Sequence, residues 1–122
     1  MQASEIITQD AHQHGVDPSG VLNFVHQRIQ SGKGSILQHG DSILLITHLD
    51  QGDAEVHLYT VESPLALVKS LKNFLHILQQ TPIQRIYGKA DNPGILKMLE
   101  MIGLSVQHSD RPEYNWMADI KG

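Results

Sequence analysis

Residues 35–61 constrain the fold more than any other stretch, because three β-rich runs follow one another with only tight-turn signals between them. The runs 35–38 and 42–48 flank His39-Gly40-Asp41, and Asp50-Gln51-Gly52-Asp53 leads into the run 55–61. Turns of this chemistry join antiparallel neighbours, so a three-stranded meander is expected. The next segment extends the sheet in another way. Ser63 and Pro64 read as the N-cap and first position of a helix, with Leu67, Leu71, Phe74, Leu75 and Leu78 on its buried stripe to about Gln80. Thr81-Pro82 ends that helix and 83–87 is a compact strand, a succession that calls for a right-handed crossover between neighbouring strands.

The flanks are mostly helical. Residues 4–14 are weakly periodic, and Asp17-Pro18 then starts a second helix whose Val21, Leu22, Val25 and Ile29 share a face. Asp91-Asn92-Pro93 opens another helix, with Ile95, Leu96, Leu99 and Ile102 apolar, stopped by Gly103. The runs 104–107 and 114–120 are expected to close the chain as a hairpin around Ser109-Asp110-Arg111-Pro112, with Tyr114 and Trp116 on one face. The expected class is therefore α/β (α+β), one domain over 1–122, with a mixed, mostly antiparallel sheet and helices on both faces.

Composition narrows the functions. With 40% hydrophobic and 18% charged residues the chain can bury a core. The nine Lys and Arg are scattered on a chain of net charge −4, which argues against nucleic acid as a partner. Eight histidines would carry the charge from −4 to +4 if all were protonated, so solubility is expected to vary strongly with pH. The absence of cysteine removes disulfides, thiolate catalysis and Cys-ligated zinc. The polar start and the lack of a long apolar run point to no membrane partner and to a cytoplasmic location. His12 and His14 lie two apart, about 200° around a helix, so they do not form a metal site.

The order of elements, together with the segment from Asn92 to Gly103, resembles the GNAT superfamily of acyl-CoA N-acyltransferases. In that family an Asn-capped, apolar-faced helix ends in Gly-Phe; here Asn92 and Gly103 stand eleven residues apart and Leu104 replaces the Phe. The resemblance covers roughly 35–120. It implies acetyl-CoA as cofactor, with Asn92 and backbone groups near Val61, Ser63 and Leu65 contacting it, and a small amine or a protein as acceptor.

Two departures bear on activity. The family's glycine-rich phosphate loop corresponds here to the stretch 61–68, which has no glycine and no basic residue; Pro64 offers no N–H and Glu62 would repel phosphate. The family's thiolate-protonating Tyr corresponds to Leu99, which has no proton to give. This combination is similar to small GNAT-like proteins of tailed phages, including an internal virion protein of short-tailed phages. That similarity implies a non-catalytic alternative with a virion or assembly partner, or a homo-oligomer.

If catalysis persists, a base on the strand 55–61 must deprotonate the amine, and Glu55, His57, Tyr59 and Glu62 are available. Strand alternation puts His57 and Tyr59 on one face, opposite Val56 and Leu58. Tyr87, ending the next strand, is the remaining candidate acid. No metal is implied.

Overall fold

The computed structural model describes residues 1–89 and 92–121. In chain order the elements are α1 (Ala3–Gln13), α2 (Pro18–Gln30), β1 (Gly34–His39), β2 (Ser42–His48), β3 (Asp53–Thr60), α3 (Pro64–Gln79), β4 (Arg85–Gly88), α4 (Pro93–Met101), β5 (Gln107–His108) and β6 (Trp116–Asp119). The strands form one sheet in the order β1-β2-β3-β4-β6-β5. Among the described residues only β3 and β4 are parallel neighbours, joined through α3; the other pairs are antiparallel. The expected mixed sheet, meander and crossover are all present.

Helix starts follow the capping chemistry. Asp17 Oδ1 accepts the Ser19 N–H at 3.1 Å, Ser63 Oγ accepts that of Ala66 at 3.5 Å, and Asn92 Oδ1 accepts that of Gly94 at 2.9 Å. Each cap precedes a proline at the first helical position, where its missing N–H costs no bond. After α4, Gly103 takes φ +104° and the Leu104 N–H returns to the Leu99 carbonyl at 3.0 Å, closing the helix in the way only glycine allows cheaply.

Two apolar layers cover the sheet. On one face Leu44, Ile46, Val56, Ile86 and Trp116 meet Leu67, Leu71, Phe74 and Leu78 of α3 and Leu99 of α4. On the other, Ile43, Leu45 and Tyr59 meet Ile6 and Ile7 of α1 and Val25 of α2. β2 is buried on both faces, which accounts for its unbroken Ile43-Leu44-Leu45-Ile46 run.

The closing hairpin corrects the sequence reading. β5 and β6 span Gln107–His108 and Trp116–Asp119, in place of 104–107 and 114–120. Leu104 and Val106 pack into the α3/α4 layer instead of extending β5. The Tyr114 N–H closes a turn on the Arg111 carbonyl at 3.2 Å, around Pro112, which has no N–H for a ladder. The strand alternation is thereby broken before Trp116. Tyr114 and Trp116 therefore lie on opposite faces: Trp116 joins the α3/α4 layer, and the Tyr114 hydroxyl reaches Glu55 under α2. Among the described residues, no helix is long and apolar enough to cross a membrane.

Candidate functional site

β3 and β4 pair only from Asp53↔Arg85 to Glu55↔Tyr87. β3 runs on to Thr60 while β4 stops at Gly88, so the two strands part after Glu55. A cavity of about 410 Å³ fills the opening, walled by Val56, Leu71, Phe74, Leu99 and Trp116, with Asp10, His14, His57, Thr60, Lys89 and Asn92 among its polar residues. A mostly apolar cavity with a few convergent polar groups is the usual form of a small-molecule site.

The unpaired edge of β3 offers backbone groups to this cavity. The Val61 N–H bonds the Asp41 carbonyl on the β2 side at 3.2 Å, which sets the phase of the ladder. Alternation then turns the N–H groups of Leu58 and Thr60 toward the opening. Thr60 confirms the phase, since its N–H donates at 3.1 Å to Asp10 Oδ1 from α1. Burial raises the Asp10 carboxyl above its ordinary range, against the lowering effects of the Thr60 N–H and His14.

The end of the opening toward α3 is poor in donors for an anion. The Val61 N–H is taken by Asp41, the Glu62 N–H by Thr60 Oγ1 and the Ala66 N–H by the Ser63 cap, and Pro64 has no N–H. The Glu62 carboxylate turns inward: its Oε1 accepts from Ser70 Oγ at 2.6 Å and from Ser42 Oγ. A β-carbon on Gly40 would overlap Glu62 Oε2 at 2.4 Å, so the glycine makes room for this anchor. Glu62 therefore ties the turn before α3 to the β1–β2 hairpin. An acyl-pantetheine arm, apolar and with amides for the β3 edge, fits the residues present; a diphosphate at the α3 end does not.

On the α1/α2 face three of the expected catalytic residues, Glu55, His57 and Tyr59, lie together, and Glu55 is 3% exposed. Glu55 Oε1 accepts from His57 Nε2 at 2.8 Å and meets Arg28 of α2 at 3.3 Å, and Oε2 accepts from the Tyr114 hydroxyl at 2.5 Å. Burial pushes the Glu55 carboxyl up, but the bonds from Tyr114 and His57 and the charges of His57 and Arg28 outweigh it and hold the group below its ordinary value. The His57 ring packs edge-on to Phe24 at 5.1 Å between centroids. Tyr59 shares the face with His57 and is buried, its phenol pushed up to about 12 by burial and then by Asp10 and Glu55.

Tyr87 lies apart from this cavity. Its hydroxyl donates to Asp110 Oδ1 at 2.7 Å, its ring sits under the Arg111 guanidinium at 5.2 Å, and it borders a separate polar cleft with Asp53, Arg85 and Asp119. Burial, then the Asp110 bond, raises its phenol despite Arg85 and Arg111. Sequence reasoning missed Arg28, Asp10 and the Glu55 contact of Tyr114. Arg28 and Asp10 sit on ordinary amphipathic helices and carry no local signal; Tyr114 was visible only as half of an aromatic pair.

No protein-family model and no curated protein matches the sequence. Solved structures do match its fold. A GNAT-family acetyltransferase from Staphylococcus aureus Mu50 superimposes with a TM-score of 0.62 at 13% identity, over 95% of this chain and 89% of that one. The ribosomal-protein-S18-alanine N-acetyltransferase from Escherichia coli gives 0.60 at 12% identity, over 100% and 92%. The Campylobacter jejuni N-acetyltransferase PseH, solved in complex with acetyl coenzyme A, gives 0.55 at 12% identity, over 99% and 92%. The chain has the fold of the GNAT acetyltransferases.

Proposed function

We propose that the protein is a GNAT-fold N-acyltransferase-like protein that binds acyl-CoA by its acyl-pantetheine arm and has largely lost the grip on the diphosphate. The parting of β3 from β4 after Glu55, with a cavity between them, carries this reading. Bound acyl-CoA would supply an activated acyl thioester. The Leu58 N–H and the Asn92 region would hold the arm, while Val61, Ser63 and Leu65 contribute only at the weakened α3 end. His57 is the base: Glu55 Oε1 accepts a hydrogen bond from Nε2–H, which keeps that proton on Nε2 and leaves the Nδ1 lone pair to accept one from an incoming small amine or protein amine. Glu55 acts through His57 by fixing its tautomer, as Tyr59 and Tyr87 act by packing. Leu99 cannot protonate a leaving thiolate, so turnover in the cytoplasm is slow.

Calorimetric titration with acetyl-CoA and with acetyl-pantetheine tests the reading. Both are expected to bind with similar affinity, because the phosphates add little; no heat from either at millimolar concentration sinks it. The engaged Val61, Glu62 and Ala66 N–H groups at the α3 end favour a second reading, a non-catalytic GNAT scaffold with a virion or assembly partner, or one that self-associates. Co-purification with a particle or partner supports it, and a free monomer that turns over acetyl-CoA refutes it.

A further inference from the structure

We infer that Lys89 is a self-acylation site: its amine stands across the fork from His57 and takes the acyl group from a thioester bound between β3 and β4. The inference rests on the acyl-thioester reading and goes further by naming an amine that receives the acyl group.

The strand register brings Lys89 opposite the base. β3 and β4 pair as Asp53↔Arg85, Ala54↔Ile86 and Glu55↔Tyr87. Continued by two residues, the same register sets His57 against Lys89. The strands have parted there, and the cavity lies between them with both residues in its lining. Among the described residues that line it, Lys89 carries the only primary amine.

The two side chains also lie on one side of the sheet. Tyr87 and Lys89 are two apart and share a face by alternation. Both meet the same ring: Tyr114 is 5.6 Å from the Tyr87 ring and 5.7 Å from the Lys89 ammonium. The Tyr114 hydroxyl in turn bonds Glu55, which bonds His57 Nε2. Lys89 and His57 are thus the ends of one connected cluster. The Lys89 backbone is fixed, because its carbonyl accepts from Asn115 Nδ2 at 3.0 Å and the Gly88 carbonyl accepts the Asn115 N–H at 2.9 Å. Its side chain is exposed and can swing across the fork. An arm held against Val56, Phe74 and Leu99 approaches from the α3/α4 layer, so an amine on the α1/α2 side stands where an acceptor must.

The step balances within these groups. Lys89 gives one ammonium proton to His57 Nδ1, and Nζ forms a bond to the thioester carbonyl carbon. The C–S bond breaks, and a second Nζ proton passes through solvent to the departing thiolate, since Leu99 offers none. The products are an amide on Lys89, a free thiol and a proton that His57 returns to water. The acyl group stays on the protein, so each chain reacts once, and the amide removes the Lys89 charge from the Tyr114 ring.

The unmodified protein is incubated with acetyl-pantetheine or acetyl-CoA, and its six lysines are mapped by peptide mass spectrometry. Lys89 should be acetylated at least about tenfold faster than any other lysine, because a fixed donor and a neighbouring base act on it alone. The rate should saturate with donor and not change with protein concentration. His57→Gln should slow Lys89 by about tenfold or more and leave the other lysines as they were. S-ethyl-pantetheine, which has no acyl group to give, should shield Lys89 from an amine-reactive ester without protecting the others. Lys89→Arg should lose the fast site and still bind acetyl-pantetheine in calorimetry. Acetylation spread evenly over the lysines, a rate that grows with protein concentration, or no shielding by the thioether overturns the inference; if acetyl-pantetheine still gives heat, the acyl-CoA reading stands. No heat from either donor sinks that reading and the inference with it. If Lys89→Arg fails to fold, mapping and shielding in the unmodified protein decide.

Discussion

Tyr114→Phe removes a single oxygen from the Glu55 cluster and leaves the rest of the ring in place. The Tyr87 ring at 5.6 Å and the Lys89 ammonium at 5.7 Å can both keep their contacts with a phenyl group. What is lost is a 2.5 Å hydrogen bond to a buried carboxylate. Hydrogen bonds to charged groups contribute about 1.5–3 kcal/mol, and the variant should be destabilised by that amount at neutral pH. For a chain of this length the loss corresponds to a fall in Tm of roughly 5–12 °C.

The dependence on pH distinguishes this bond from simple packing. In the unmodified protein the folded Glu55 carboxyl lies below its unfolded value of about 4.3. Its contribution to stability is therefore complete above that value and is lost as pH falls through the lower folded value. Of the contacts that lower it, the Tyr114 bond ranks first; without it, burial is opposed only by His57 and Arg28, and the carboxyl moves up. The stability gap between the two proteins should be widest near pH 7 and narrow as pH drops below about 4, where Glu55 takes up a proton in both. Urea unfolding at both pH values measures it, and a double-mutant cycle with Glu55→Gln should return a coupling of about 1–2 kcal/mol. A gap that is the same at both pH values, or a cost under about 0.5 kcal/mol at neutral pH, would contradict this role for the Tyr114 hydroxyl.

Other contacts carry their own expected outcomes. Asp10→Asn keeps an acceptor for the Thr60 N–H and removes a carboxyl whose folded pKa is raised; the stability it contributes is full below about pH 3.9 and is lost as pH rises through the folded value. The variant should thus gain on the unmodified protein from acid to neutral pH in thermal unfolding, and a constant difference speaks against it. Gly88→Ala drives a methyl into the Trp116 indole and should cost about 1–3 kcal/mol in chemical denaturation, with a change in Trp116 emission. Leu99→Tyr places a proton donor on the cavity wall; if acyl transfer occurs, its rate should rise by about tenfold or more in a thiol-release assay, and an unchanged rate excludes the missing acid as the bottleneck.

Much of the architecture was legible because each element carried its own local instruction. Asp17-Pro18, Ser63-Pro64 and Asn92-Pro93 cap helices wherever they occur, and the apolar stripe of α3 leaves little choice of face. The closing hairpin was not legible, because a turn at 111–114 that reverses the face of Tyr114 has the same residue types as an ordinary strand end. The site was legible only in part. Strand alternation placed His57 and Tyr59 together, but Arg28 and Tyr114 converge on Glu55 from distant segments through tertiary packing, which no local pattern encodes. Glu62 shows the same limit: its charge was readable, whereas its inward turn depends on Ser42, Ser70 and the space beside Gly40.

Glu55 also explains why the sheet opens where it does. It belongs to the last residue pair that joins β3 to β4, and its side chain is held from α2 by Arg28, from β3 by His57 and from the segment before β6 by Tyr114. Those contacts fix the closed side of the fork while Asp10 occupies the Thr60 N–H farther along the open side. A parallel pair free to zip up would close the cavity and bury its backbone groups in a ladder. The pinned fork instead keeps the Leu58 edge turned toward the apolar chamber, with His57 among the residues that line it. Loosening Glu55 should therefore affect cavity binding as well as stability, although Glu55 itself faces the α1/α2 layer.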